Sequence, residues 1–86
     1  MPEISRFLGM IISIYFEDHN PPHFHAEYNE YEAVISINDL KVLDGSLPSR
    51  VMGLIMEWAH LHQAELLENW NSVQKSGKFT KIAPLT

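Results

Sequence analysis

The sequence predicts an α+β fold: an antiparallel meander of three or four strands packed against one long or bent C-terminal helix, or a pair of helices. Three observations carry this expectation. The first half alternates apolar and polar residues with period two, interrupted by Asn-Pro, Asn-Glu, Asn-Asp and Asp-Gly pairs. From Ser46 to Gly77 the apolar residues instead recur at three- and four-residue spacing. The chain has 86 residues, which sets a single small domain with one core.

The first strand is expected over Gly9 to Phe16, GMIISIYF, with Ile12, Ile14 and Phe16 on one face. Asn20-Pro21-Pro22 ends it in a corner stiffened by two fixed φ angles. His23 to Tyr28 forms the second strand, placing His23, His25 and Glu27 on one face and Phe24, Ala26 and Tyr28 on the other. After a tight turn at Asn29-Glu30, Tyr31 to Ile37 forms a third, rich in β-branched residues. A short fourth follows over Lys41 to Leu43, ended by Asp44-Gly45.

The helical half starts with Ser46 as N-cap and Pro48 in the first turn, and stops at Gly77 with Lys75 in the last turn. Val51, Ile55, Trp58 and His62 fall on one line, and Met52, Met56, Leu67 and Trp70 on a second stripe. One unbroken helix would span about 45 Å, too long for so small a sheet. The pattern therefore predicts a bend between His60 and Gln63, or a long helix whose second stripe binds another chain. Phe79 to Ile82 is a further short strand candidate.

Composition narrows the function. Hydrophobic residues make up 45% and charged residues 20%, so the chain is globular rather than disordered. The absence of cysteine removes disulfides, thiolate metal sites and a cysteine nucleophile. No basic leader and no sufficiently long apolar run is present, so a cytoplasmic protein without a membrane span is expected. The net charge is −5 and unevenly spread. Tyr15 to Glu32 holds five acids (Glu17, Asp18, Glu27, Glu30, Glu32) and no lysine or arginine. Lys75, Lys78 and Lys81 are too few to neutralise a nucleic-acid backbone, so nucleic acid is not an expected partner.

The chemistry-bearing stretch is DHNPPHFH, Asp18 to His25, which holds three of the five histidines. His23 and His25 share a strand face about 7 Å apart. His19 can fold back across the corner, and Asp18 or Glu27 can add a carboxylate. Three histidines with a carboxylate suit zinc, and two histidines with one carboxylate suit iron. The metal-ligand candidates are therefore Asp18, His19, His23, His25 and Glu27, with His62 joining if the helix covers the histidine-bearing face. His19, His23 and His25 are equally candidates for acid–base catalysis. A purely structural arrangement competes with both, in which the rings bond backbone carbonyls and nearby acids. His60 and His62 lie two residues apart on a helix and point to different faces.

ISRFLGMIISIYFEDHNPPHFHAEY, EAVISI, LDGSLPSR, EWAHLHQAELLENW and KIAPL together resemble the bacterial domain-of-unknown-function family 4160 over nearly the whole chain, from Pro2 to Leu85. The resemblance implies a small stand-alone protein encoded beside a second small protein of domain-of-unknown-function family 2442, as in a toxin–antitoxin-type pair. It implies no catalytic residues. Two functions follow as expectations. One is a protein-binding module that uses Met52, Met56, Leu67 and Trp70, or the histidine-bearing sheet edge, for a small protein partner or a second copy. The other is a metal-dependent or histidine acid–base nuclease or hydrolase centred on Asp18 to His25.

Overall fold

The computed structural model describes residues 3–16 and 18–85; Pro2 and Glu17 of the sequence reading lie outside them. The elements run β1 (Glu3–Phe7), β2 (Met10–Ser13), β3 (His23–Tyr28), β4 (Tyr31–Ser36), β5 (Val42–Ser46), α1 (Ser49–Leu61) and α2 (Gln63–Ser76). The strands form one antiparallel sheet in chain order, followed by the two helices, so the fold is α+β. No described helix is long and apolar enough to cross a membrane.

The sheet has five strands, more than the three or four expected. The additional one is β1, which turns into β2 through Leu8-Gly9, both at positive φ (50° and 80°). That backbone matches the twist of a two-residue hairpin. β2 ends at Ser13, so Phe16 leaves the expected strand face and is exposed, while Ile12 and Ile14 are buried. Asp44-Gly45 lies inside β5 rather than ending it. Gly45 has φ +74°, and a Cβ there would sit 2.1 Å from the Glu32 carbonyl oxygen, so the close approach of β4 and β5 requires glycine.

The strand registers place Ile12, Ala26 and Ala33 side by side, and Phe24 opposite Ile35; all are buried. This is the inner face. Trp58 of α1 is fully buried against it, with ring centroids 5.4 Å from Phe7 and 6.1 Å from Phe24. His23 and His25 occupy the outer face, opposite Ser36 and Val34 of β4.

The expected bend is at His62, whose φ of −117° separates α1 from α2. α1 begins at Pro48 as N-cap, not Ser46, because Ser46 is held in β5. α2 ends at Gly77 in the left-handed conformation, its amide donating to the Val73 carbonyl at 2.9 Å. The break lets each helix turn an apolar side inward. Met52, Met56 and Leu67 are half-buried against the core, and Trp70 is only 4% exposed. The expected second stripe is thus packed within the chain and is not an open face.

The segment after α2 is not a strand. It is strapped down by individual contacts: Asn69 donates to the Thr80 carbonyl at 3.0 Å and accepts from the Thr80 amide at 2.8 Å. The Trp58 indole donates to the Ala83 carbonyl at 2.9 Å, and the Ile82 amide to the Ile4 carbonyl at 2.8 Å. That last contact places the segment along the outer edge of β1.

Candidate metal centre

The corner between β2 and β3 carries Asp18 back over the outer face. The Asn20–Pro21 peptide is cis, and the Ile37 amide donates to the Pro22 carbonyl at 2.9 Å, tying the corner to the end of β4. Asp18 then faces the first and third residues of β3. His23 Nε2 lies 2.7 Å from Asp18 Oδ2, and His25 Nε2 lies 3.5 Å from the same oxygen. The two rings are 5.3 Å apart between centroids, closer than the flat-strand spacing.

The opposite ring nitrogens are engaged as well. His23 Nδ1 lies 2.7 Å from the Pro21 carbonyl oxygen, and His25 Nδ1 lies 3.2 Å from Glu32 Oε2. A carboxylate oxygen only accepts, so His25 Nδ1 carries the proton toward Glu32 and the His25 Nε2 lone pair is left facing Asp18. His25 Nε2 is buried and has no hydrogen-bond partner. His23 faces acceptor oxygens through both nitrogens, whereas a neutral imidazole has one N–H. A cation held between Nε2 and Asp18 would satisfy the second acceptor.

Burial pushes the Asp18 carboxyl up, but the His19 amide and the His23 and His25 rings together outweigh it and hold the carboxyl below its ordinary range. Tyr15 packs edge-on against His25 at 4.4 Å. Burial raises its phenol pKa, and the negative charges of Glu27, Glu32 and Asp18 raise it further, so the hydroxyl keeps its proton at neutral pH. Trp70 of α2 lies 5.0 Å from His23 and closes that side of the ring.

Asp18, His23 and His25 are thus the residues brought together, with ligand atoms all within 4.8 Å of one another. The other candidates stand outside that group. His19 sits beside it, with Nδ1 3.5 Å from Asp18 Oδ1, but its side chain is 94% exposed. Glu27 shares the outer face two residues beyond His25 and is not part of the group. His62 does not join either, which corrects that expectation. The helices cover the inner face, and the His62 ring lies tilted against Trp58, 5.6 Å between centroids, with Nδ1 2.6 Å from Glu65.

Sequence reasoning missed Glu32, the Pro21 carbonyl, Tyr15 and Trp70 as neighbours of the cluster. For Glu32 a signal existed. The tight turn at Asn29-Glu30 puts Tyr28 opposite Tyr31 and Glu27 opposite Glu32, so Glu32 shares the histidine face one pair beyond His25. An open cavity of about 310 Å³ adjoins the cluster, lined among others by His19, Pro21, His23, His25, Val34 and Leu43.

The model of a family described as a domain of unknown function, DUF4160, matches residues 9–71. The chain belongs to this family. The matched span of DUF4160 runs from the turn before β2 into α2 and so contains Asp18, His23, His25, Glu32 and Trp70. No curated protein and no solved structure matches the chain.

Proposed function

We propose that the protein holds one divalent transition-metal ion between Asp18, His23 and His25 and acts as a metal-dependent hydrolase. The single observation that carries this reading is the convergence of two imidazole Nε2 atoms on one carboxylate oxygen while both Nδ1 atoms are engaged elsewhere. Imidazole nitrogen and carboxylate oxygen suit zinc or iron(II). A carbonyl or carboxylate behind each ring is what orients a ligating histidine and strengthens it as a base. Three protein ligands would leave room in the coordination shell for a water and a substrate group, and His23 and His25 both border a cavity. A metal there supplies an acidified water and a Lewis acid. Strands β2 to β5 carry acids and no lysine or arginine, and Lys41 is the single lysine in the connection between β4 and β5, which favours substrates other than nucleic acid.

Titrating metal-free protein with zinc against a chromophoric chelator tests the reading. One equivalent binds, and His23→Gln and His25→Gln each abolish it. A wild-type protein that takes up no metal, or variants that bind as well as wild type, end it.

A partner-binding reading has its own observation: β5 is exposed along its whole length, with Val42 and Leu43 among the large exposed hydrophobic residues. We infer that the protein also engages a small protein partner, in the manner of a toxin–antitoxin-type pair. Light scattering after co-expression with its gene neighbour tests this, and a strict monomer counts against it.

A further inference from the structure

The strand order leaves two sheet edges, and the chain treats them differently. The edge of β1 is covered: the Ile82 amide donates to the Ile4 carbonyl, and the Ser5 hydroxyl donates to the Ile82 carbonyl at 3.0 Å. β5 has no strand beyond it among the described residues, and all five of its residues are exposed. An open edge presents backbone donors and acceptors to any extended chain of suitable charge.

We propose that β5 takes up an extended segment of a basic partner protein, with one lysine or arginine side chain seated in the cavity beside the histidines. This deepens the partner reading by naming the docking element and the chemistry of what docks. The cavity is open and about 310 Å³, sized for a side chain and its neighbours. Val34, Pro21 and Leu43 give it apolar walls that suit an aliphatic stem. Asp44 lines the same cavity; its Oδ1 accepts the Gly45 amide at 2.9 Å, which leaves Oδ2 to take an ammonium or guanidinium group.

Charge selects the occupant. From His23 to Ser46 the chain has five acids (Glu27, Glu30, Glu32, Asp39, Asp44) and one cation, Lys41. An acidic segment is repelled there. A second copy is also disfavoured, because antiparallel self-pairing of β5 centred on Asp44 would set that residue against the same acid, and each copy carries a net charge of −5. A basic strand meets complementary charge on its side chains and an unpaired ladder on its backbone.

The test is fluorescence anisotropy at low ionic strength on metal-free protein, so that failure of the metal reading leaves it intact. The probe is a labelled Lys-Val-Lys-Val-Lys peptide. Saturable binding is expected, with none for Glu-Val-Glu-Val-Glu. N-methylating the peptide backbone should abolish binding, because it removes the ladder donors without altering the protein. Asp44→Asn should weaken binding about fivefold, the range of one exposed ion pair. Equal binding of the acidic or N-methylated peptide overturns the proposal, as does displacement by spermidine as effective as by unlabelled peptide. A protein that binds its gene-neighbour partner yet ignores the basic peptide loses this inference alone.

Discussion

His25 Nε2 is buried, lacks a hydrogen-bond partner and sits 3.5 Å from Asp18 Oδ2. That separation is longer than a hydrogen bond and compatible with two atoms sharing one ion. The ring is held in this pose from behind by Glu32, 3.2 Å from Nδ1. Glu32 therefore fixes which nitrogen is free. Glu32→Gln should reduce zinc affinity about tenfold or more, the usual effect of losing a carboxylate behind a ligating histidine. The glutamate is half-exposed, so the same variant should leave the thermal midpoint of the metal-free protein nearly unchanged. A chelator-competition titration and a melting curve on one preparation decide it; unchanged affinity would show that Glu32 only accompanies the site.

Much of the fold was legible because it depends on local periodicity. The alternation through Phe24, Ala26 and Tyr28 against His23, His25 and Glu27 gave the two faces of β3, and the Asn29-Glu30 turn gave its register with β4. Length alone left a bend between His60 and Gln63 or one long helix against another chain, and the break at His62 is the first of these. β1 was not, since a five-residue edge strand joined through Leu8-Gly9 lacks the usual Asn-Gly signal. At the site, the spacing of His19, His23 and His25 with Asp18 or Glu27 marked the right stretch, but not that Asp18, His23 and His25 alone converge. What was hidden is which face the helices cover, and that decides the fate of His62 and Trp70. Trp70 looked like part of an open stripe, but the bend at His62 carries it to the end of β3 and against His23. Such placement depends on the angle between two helices, which no spacing rule encodes.

The C-terminal segment hangs on Asn69, whose buried amide both donates to and accepts from the backbone of Thr80. Asn69→Ala leaves that amide and carbonyl without their partner, which should cost about 1–3 kcal/mol. The segment should then detach, uncovering the β1 edge and freeing the Trp58 indole from Ala83. Limited trypsin digestion at Lys78 and Lys81 should accelerate relative to wild type. Equal cleavage rates would mean the segment is held mainly by burial of Ile82.

Two glycines should respond in opposite directions to alanine. At Gly45 the added Cβ meets the Glu32 carbonyl oxygen at 2.1 Å in a left-handed backbone, so β5 must move. Gly45→Ala should cost about 2 kcal/mol or more, combining clash and backbone strain. At Gly53, exposed within α1, a Cβ meets nothing within 4 Å. Gly53→Ala should stabilise by about 0.5–1 kcal/mol through helix propensity. Urea denaturation of the pair checks both signs in one experiment.

The Asp18 carboxyl should contribute to the acid limit of the metal-free protein. Its pKa in the fold lies below the ordinary aspartate value of 3.8, so the unfolded chain binds the proton more readily. The stability it contributes is fully present above that ordinary value and is lost as the pH falls through the lower folded value. Urea midpoints should therefore decline with acidification below about pH 4. Glu3, beside Arg6, and Asp39, which accepts from Ser36, are lowered in the same sense and contribute to the same decline. Asp18→Asn isolates the first contribution: it removes the titrating group while leaving an oxygen to accept the His19 amide at the position now 3.0 Å away. The variant should start less stable at pH 6 and lose less on acidification, so that its curve converges on wild type in acid. Parallel curves over the whole range would place the acid sensitivity in Glu3 and Asp39 instead.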